Sequence, residues 1–278
     1  MRVVSMLPGA AKPPRFMELT LSAARTPVHA RKTPMSPLDH LPIPFVDLTA
    51  GCALFEAVGF VVAPTCVYTS PEYPEARWEN RSVFLREGWF DLQHTPTAPA
   101  ALAGAPSGCL FRTRDLSAVR TALTGMCLTE PYRLLREWPG RPELGTESFA
   151  LFSVRERISP LVLAAIEHDY PCPDTLEAWF EHPNTATRIA GLTFSGSPGP
   201  YAEAAARVLD ISGFRYLPEE DYAAAFGAAK AVVRVEVASI EAAHRRITGA
   251  GIAATRTSGG LRVPPAQPLA FGFEFFQA

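Results

Sequence analysis

The sequence lacks the features that mark several large classes of protein. It has no apolar run near the roughly 18 residues that a membrane-spanning helix needs. It also lacks a charge excess, because 26 basic residues face 28 acidic ones, so composition gives no argument for nucleic-acid binding. Phosphate-loop, dinucleotide and Gly-x-Ser-x-Gly fingerprints are absent. We therefore expect neither a membrane nor a nucleic acid as partner.

The five cysteines form no Cys-x-x-Cys pair and are widely spaced. This spacing fits neither a disulfide framework nor a zinc finger, and it favours reduced thiols in a cytoplasmic protein. The chain has 278 residues, of which 47% are hydrophobic, so it can form a sizeable core. Its 27 prolines favour short elements joined by stiff loops.

The first 34 residues differ from the rest of the chain. Residues 1–34 carry six basic residues against one acid, Glu18. Such a segment is typical of an organelle transit peptide or of a disordered extension, for example one that begins at a start codon upstream of Met35. We favour the disordered extension because the patterned chain begins abruptly at Leu38.

From Leu38 onward the chain repeats one order of elements: a strand, a helix, then two or three strands. In the first unit, alternation predicts a strand over 38–46, and helical spacing predicts a helix over 48–58. Asp47 is a suitable N-cap for this helix, and Gly59 a suitable end. The order restarts near residues 109, 189 and 232. A helix across one face of each small sheet leaves the other face concave, so paired units can enclose a cavity.

Short motifs follow one another in a defined series: Leu38-Asp39-His40-Leu41, Asp47-Leu48, Phe55-Glu56-Ala57-Val58-Gly59-Phe60, Ile166-Glu167-His168 and His182-Pro183-Asn184. Their order and spacing resemble the vicinal-oxygen-chelate, or glyoxalase-like, superfamily, and within it the branch of large glyoxalase-like domain proteins. The resemblance implies an α+β fold of tandem βαβββ modules.

The resemblance also implies a domain organisation. Modules 1 and 2 would close one barrel-like cup over 38–168, followed by a linker at 169–186. Modules 3 and 4 would form a second, truncated copy over 187–277. The truncation is visible at 214–230, where one Ala-rich stretch stands in place of three strands.

Enzymes of this superfamily hold a divalent metal inside the cup, with ligands from the first and last strands. The resemblance implies His40 and Glu167 as metal ligands, with Asp91 as a further ligand. Asp91 and Glu167 are then the candidate catalytic residues, and Mn, Fe, Ni or Zn the candidate metals. Gly108 stands where a second ligand histidine is expected. The alternative is a metal-free pocket in which His40 only makes hydrogen bonds.

Strand alternation turns several other side chains toward the cup. Asn80, Trp89 and Arg112 are the candidate substrate-binding residues. Asn80 could instead satisfy its own turn, and Arg112 could instead form a surface ion pair. His168 and His182 flank the linker. They could hold the linker by hydrogen bonds, or they could contact a ligand from the rim of the cup. We favour the linker interpretation.

Two functions remain open at this point. The first is a glyoxalase-like small-molecule-binding protein that works as a metal-assisted lyase, isomerase or dioxygenase. The second is a metal-free protein that binds or sequesters a small molecule without catalysis. The mixed cup-facing residues do not identify the substrate.

Overall fold

Eight strands close into a barrel in the first half of the chain. The computed structural model describes residues 37–99, 102–155, 161–169, 177–199 and 202–278. The predicted extension at 1–34 lies outside them. The barrel strands are β1 (Leu38–Phe45), β2 (Thr65–Thr69), β3 (Arg77–Phe84), β4 (Trp89–His94), β5 (Gly108–Thr113), β6 (Tyr132–Glu137), β7 (Thr146–Val154) and β8 (Val162–His168). Around the barrel their order is β1-β4-β3-β2-β6-β7-β8-β5.

The barrel consists of two βαβββ modules, which confirms the predicted architecture. In each module the first strand pairs in parallel with the last, as β1 does with β4 and β5 with β8. Antiparallel pairs β1–β5 and β2–β6 join the modules and leave no free edge. Helices α1 (Leu48–Val58) and α2 (Leu116–Ala122) follow the first strand of each module.

The second half of the chain forms an open sheet of six strands. They are β9 (Ala186–Ser195), β10 (Arg215–Leu217), β11 (Val232–Val237), β12 (Thr255–Thr257), β13 (Gly260–Val263) and β14 (Gly272–Phe276), in the order β10-β9-β11-β14-β13-β12. The helices of this half are α3 (Ala202–Ala205), α4 (Glu219–Phe226) and α5 (Ile240–Gly249). This half-barrel agrees with the predicted truncated copy.

The stretch at 214–230 was expected to hold no strand, but it contains the short strand β10 before helix α4. Its Tyr222 packs with Val232 of β11. Val233, the next residue of β11, belongs instead to the core that includes Ile247 of α5. Since neighbouring residues of a strand point to opposite faces, α4 and α5 lie on opposite faces of the sheet. The face of the sheet opposite α5 is therefore partly covered by α4.

A cluster of phenylalanines joins the barrel to the second sheet. Phe273 of β14 lies 5.9 Å from Phe55 of α1 and 5.7 Å from Phe60, measured between ring centroids. Phe90 of β4 lies 6.1 Å from the same ring. Barrel and sheet belong to one compact unit that extends to Ala278. The predicted domain boundaries, at 168 and 187, stay a prediction.

The ends of α1 follow the sequence expectation. The Asp47 side chain accepts a hydrogen bond from the Ala50 N–H, and Gly59 adopts the left-handed conformation, with φ at 101°. The linker then packs beside this helix end. His182 accepts from the Val61 N–H through Nδ1 and lies 2.8 Å from the Phe84 carbonyl through Nε2, as the linker interpretation predicts.

Within the described ranges, no helix is both long and apolar enough to cross a bilayer.

Candidate functional site

The strand faces of the barrel follow the predicted register. Leu41 and Ile43 of β1 belong to the core outside the barrel, which contains the apolar residues of α1. His40 points the other way and stacks on Trp89 inside the barrel, with 4.5 Å between ring centroids. Phe90, next to Trp89, is again on the outside. His40 and Trp89 are therefore brought together in the interior.

Asp91 also lies inside the barrel, where its oxygens bind neighbouring side chains. Its Oδ2 accepts a hydrogen bond of 2.7 Å from Asn80 Nδ2, and its Oδ1 accepts one of 3.3 Å from Ser82. Gln93 Nε2 donates to Oδ2 at 3.4 Å. Asn80 and Asp91 thus both face the interior, as expected, but they bond to each other.

The expectation that Glu167 projects into the barrel is wrong. Its Oε2 accepts a hydrogen bond of 3.0 Å from the Leu116 N–H at the start of α2, outside the barrel. Alternation places the next residue, His168, inside instead. The predicted ligands His40, Asp91 and Glu167 therefore do not converge. No group of three or more His, Cys, Asp or Glu side chains in the described part of the chain is arranged to hold a metal. The residues present do not fit the predicted metal site.

Asp39, which the sequence did not single out, is the centre of a buried polar cluster. It is fully buried and lies 2.8 Å from His40 Nδ1, 3.2 Å from His168 Nε2 and 2.8 Å from Arg112 Nε. An ionised carboxylate only accepts hydrogen bonds, so the three nitrogens donate to it. Arg112 thus makes an ion pair, which is one of the two roles considered for it. Its partner Asp39 is buried, however, and does not lie on the surface.

The electrostatics of Asp39 favour its charged form. Burial would raise the pKa of this carboxyl, but the hydrogen bonds from His168 and His40, and the charges on these two rings, hold the pKa below its usual range. An irregularity in the β1–β5 pairing between Leu38 and His40 accompanies the cluster. Simple alternation would have placed Asp39 outside with Leu41.

A buried arginine fills the middle of the barrel. Arg136 pairs with Glu147, and both side chains are almost completely buried. Aromatic rings surround the guanidinium group at 5.1 to 5.9 Å from its central carbon: Tyr68, Phe84, Trp89, Trp138 and Phe149. The cup that the sequence predicts as a binding pocket is therefore largely occupied by the protein's own side chains.

Some interior polar atoms nevertheless have no partner among the described residues: Asn80 Oδ1, Trp89 Nε1, Trp138 Nε1 and Glu147 Oε1. A buried polar atom without a partner costs about 1–3 kcal/mol. A water at these positions would remove that cost.

A cavity of about 880 Å³ lies between one end of the barrel and the second sheet. Its charged lining residues are predominantly arginines, with two acids among them: Arg86, Arg112, Arg114, Arg188 and Arg234, with Glu87 and Asp210. We call this cavity the arginine cleft. Sequence reasoning identified only Arg112 among these residues.

Three arginines of the cleft share one mode of attachment. Each donates its Nε to a carboxylate beside the cleft: Arg112 to Asp39 at 2.8 Å, Arg188 to Glu236 at 2.6 Å and Arg234 to Glu274 at 3.3 Å. Their terminal nitrogens make no hydrogen bond within the described ranges, although Arg188 Nη1 lies 3.8 Å from Glu87. The guanidinium groups are therefore held in place while their terminal donors stay available.

A backbone seam connects the barrel side of the cleft to the sheet side. The Ile189 N–H donates to the Glu87 carbonyl at 3.1 Å, and the Glu87 N–H donates to the Thr187 carbonyl at 3.3 Å. Glu87 belongs to the turn between β3 and β4, whereas Thr187 and Ile189 belong to β9. The seam fixes the two sides of the cleft relative to each other.

Comparison with known proteins shows a similarity of fold. No protein-family model matches the chain, and no curated protein sequence does. A solved structure described as a xylose isomerase-like TIM barrel/4-hydroxyphenylpyruvate dioxygenase fusion protein matches 90% of this chain with a TM-score of 0.51 and 13% identity. The chain spans about half, 51%, of that protein's length. A variant of 4-hydroxymandelate synthase from Streptomyces coelicolor matches with a TM-score of 0.41 and 10% identity, covering 88% of this chain and 93% of that one. The first match shows a shared fold.

The Asp39 cluster generates a pH prediction. Because the folded-state pKa is depressed, the stabilisation is present above the unfolded value of about 3.9 and is lost as the pH falls below it. We expect Asp39→Asn to lower the free energy of unfolding near pH 7 by about 1.5–3 kcal/mol, the range for hydrogen bonds to a charged group. The difference from wild type should shrink below about pH 4. Urea unfolding across this pH range measures both effects.

Asp221→Asn is the matched control, because Asp221 is exposed on α4. It should change stability little at any pH. A constant difference between Asp39→Asn and wild type throughout the acidic range would contradict the assignment of the charged cluster.

Proposed function

We propose that this protein binds a small organic anion in the arginine cleft. The observation that carries the proposal is the attachment of Arg112, Arg188 and Arg234 through Nε, with their terminal nitrogens unbonded. Charge-assisted hydrogen bonds from arginine to carboxylate or phosphate are strong and directional. Side chains that are already held lose less rotational freedom when the ligand binds.

The dimensions of the cleft support a small ligand. Its volume of about 880 Å³ falls within the range of about 300–1,000 Å³ typical of small-molecule sites. The formal net charge of −2 over the whole sequence means that the arginines of the cleft are not part of a general positive excess. This combination favours a small anion over a polyanion.

The cleft is a better candidate than the barrel interior. Inside the barrel, Asn80 and Asp91 bond to each other, and Trp89 stacks on His40. Of the three candidate substrate-binding residues, Arg112 alone lines the cleft. We therefore retain Arg112 as a binding residue, and we assign the interior residues to the stability of the barrel.

Arg114 provides a direct test, because it lines the cleft, is exposed and makes no hydrogen bond or ion pair within the described part of the chain. We expect Arg114→Gln to weaken binding of inorganic phosphate by at least about tenfold, since a charge-assisted hydrogen bond contributes about 1.5–3 kcal/mol. Isothermal titration calorimetry measures the change.

The matched control is Arg245→Gln. Arg245 is also exposed, and it lies on α5, which packs against the opposite face of the sheet. It should bind phosphate as wild type does. Equal affinity in wild type and both variants, or no binding by any of them, would refute the anion-binding function.

A metal-dependent lyase or dioxygenase is the second candidate function. The observation in its favour is the fold shared with a protein whose description includes a 4-hydroxyphenylpyruvate dioxygenase. Against it, Glu167 binds the start of α2 and Asp91 is bonded to Asn80 and Ser82. The ligand set for Mn, Fe, Ni or Zn implied by the resemblance is therefore not assembled.

Metal analysis of the purified protein separates the two functions. Because the predicted ligands do not converge, we expect clearly less than one equivalent of Mn, Fe, Ni or Zn after dialysis, and no further loss in His40→Ala. Elemental analysis by mass spectrometry measures the content. A stoichiometric metal that disappears in His40→Ala would instead support the enzyme.

A further inference from the structure

We propose, on the basis of the anion-binding function, that the ligand is a small organic dianion with one charged group on each wall of the arginine cleft. The barrel wall consists of the cleft arginines on the barrel side: Arg86, Arg112 and Arg114. The sheet wall consists of those on the second sheet: Arg188 and Arg234. One wall belongs to the barrel and the other to the second sheet, and both carry guanidinium groups.

The sheet wall is suited to one anionic group. Arg188 on β9 pairs in register with Glu236 on β11, and Arg234 lies two residues before Glu236. Burial and the charge of the nearby Arg215 lower the pKa of Arg234, and Arg188 adds to this effect, while Glu274 opposes it. Positive charges thus repel one another on this wall. An anion bound by Arg188 and Arg234 together would relieve that repulsion.

The barrel wall is suited to a second anionic group. Arg112 is anchored to Asp39 through Nε alone, and Arg86 is paired with Glu177 outside the cleft lining. Arg114, two residues after Arg112, adds a positive charge with no acidic partner in the described ranges. The charge of Arg114 therefore stays unpaired among the described residues of this wall, whereas the two arginines of the sheet wall are each paired with an acid.

Apolar side chains line part of the arginine cleft. Phe276 and Phe214 line it together with Ile189 and Leu38. The guanidinium carbon of Arg234 lies 4.9 Å from the centre of the Phe276 ring, which holds this arginine against an aromatic surface. A hydrocarbon segment between two charged groups matches this arrangement, whereas two separate inorganic anions would leave the apolar surface uncovered.

A series of straight-chain dicarboxylates of increasing length tests the inference. Each is titrated into the full chain by calorimetry beside the monocarboxylate with the same number of carbons. We expect one length to bind at least about tenfold more tightly than its monocarboxylate, because the second charged group adds a further charge-assisted contact. The other lengths should show a smaller advantage.

Variants of each wall show whether both walls take part. Arg114→Gln removes charge from the barrel wall, and Arg188→Gln with Glu236→Gln removes the Arg188–Glu236 ion pair from the sheet wall. In the described part of the chain, the only other acid near Arg188 is the exposed Glu87, 3.8 Å from Nη1. Each variant should reduce the affinity for the best dicarboxylate to near the affinity for the monocarboxylate of the same length. Circular dichroism and the melting temperature establish that both variants are folded.

The outcomes separate this inference from the function on which it rests. Equal affinity of dicarboxylate and monocarboxylate at every length would overturn the dianion, while anion binding itself would stand. Phosphate binding without any carboxylate binding would likewise overturn the dianion and leave anion binding intact. A dicarboxylate advantage that survives in either folded wall variant would overturn the two-wall arrangement.

Discussion

Packing between phenylalanines of the barrel and of the second sheet sets the geometry on which the rest of the structure depends. Phe273 of β14 contacts Phe55, Phe60 and Phe90, which lie on the outer side of the barrel. Such aromatic pairs each add about 0.5–1.5 kcal/mol beyond the area that they bury. With the seam at Glu87, this core fixes both walls of the arginine cleft, so the guanidinium groups keep their separation before any ligand arrives.

Within that frame, carboxylates determine how the arginines are presented. Asp39, Glu236 and Glu274 each accept from an arginine Nε and leave the terminal nitrogens unbonded. The acids reduce the cost of gathering positive charge in a confined space without neutralising the side of each guanidinium group that a ligand would contact. The barrel interior uses the same chemistry differently, because Arg136 and Glu147 are buried together and each compensates the charge of the other.

The sequence predicted the architecture well and the site only in part. Alternation gave the correct faces of β1 and β4, and the caps of α1 followed from Asp47 and Gly59. The prediction for Glu167 was wrong because a shift of one residue exchanges the two faces of a strand, and the motif did not fix which of Glu167 and His168 faces inward. Asp39 was missed because the irregular pairing beside it breaks the alternation.

The sheet wall was missed for a different reason. Val233-Arg234-Val235-Glu236 alternates clearly and shows that one face of β11 is polar. No local pattern reveals that this face lies opposite the end of the barrel, because that contact joins residues far apart in the chain.

Crystals of the protein soaked in selenate would show whether the arginine cleft binds an oxyanion, since anomalous scattering from selenium locates this ion directly. We expect a selenate in the arginine cleft, within hydrogen-bonding distance of terminal nitrogens of Arg112, or of Arg188 and Arg234. Selenate bound only elsewhere on the protein, with none in the cleft, would contradict this expectation.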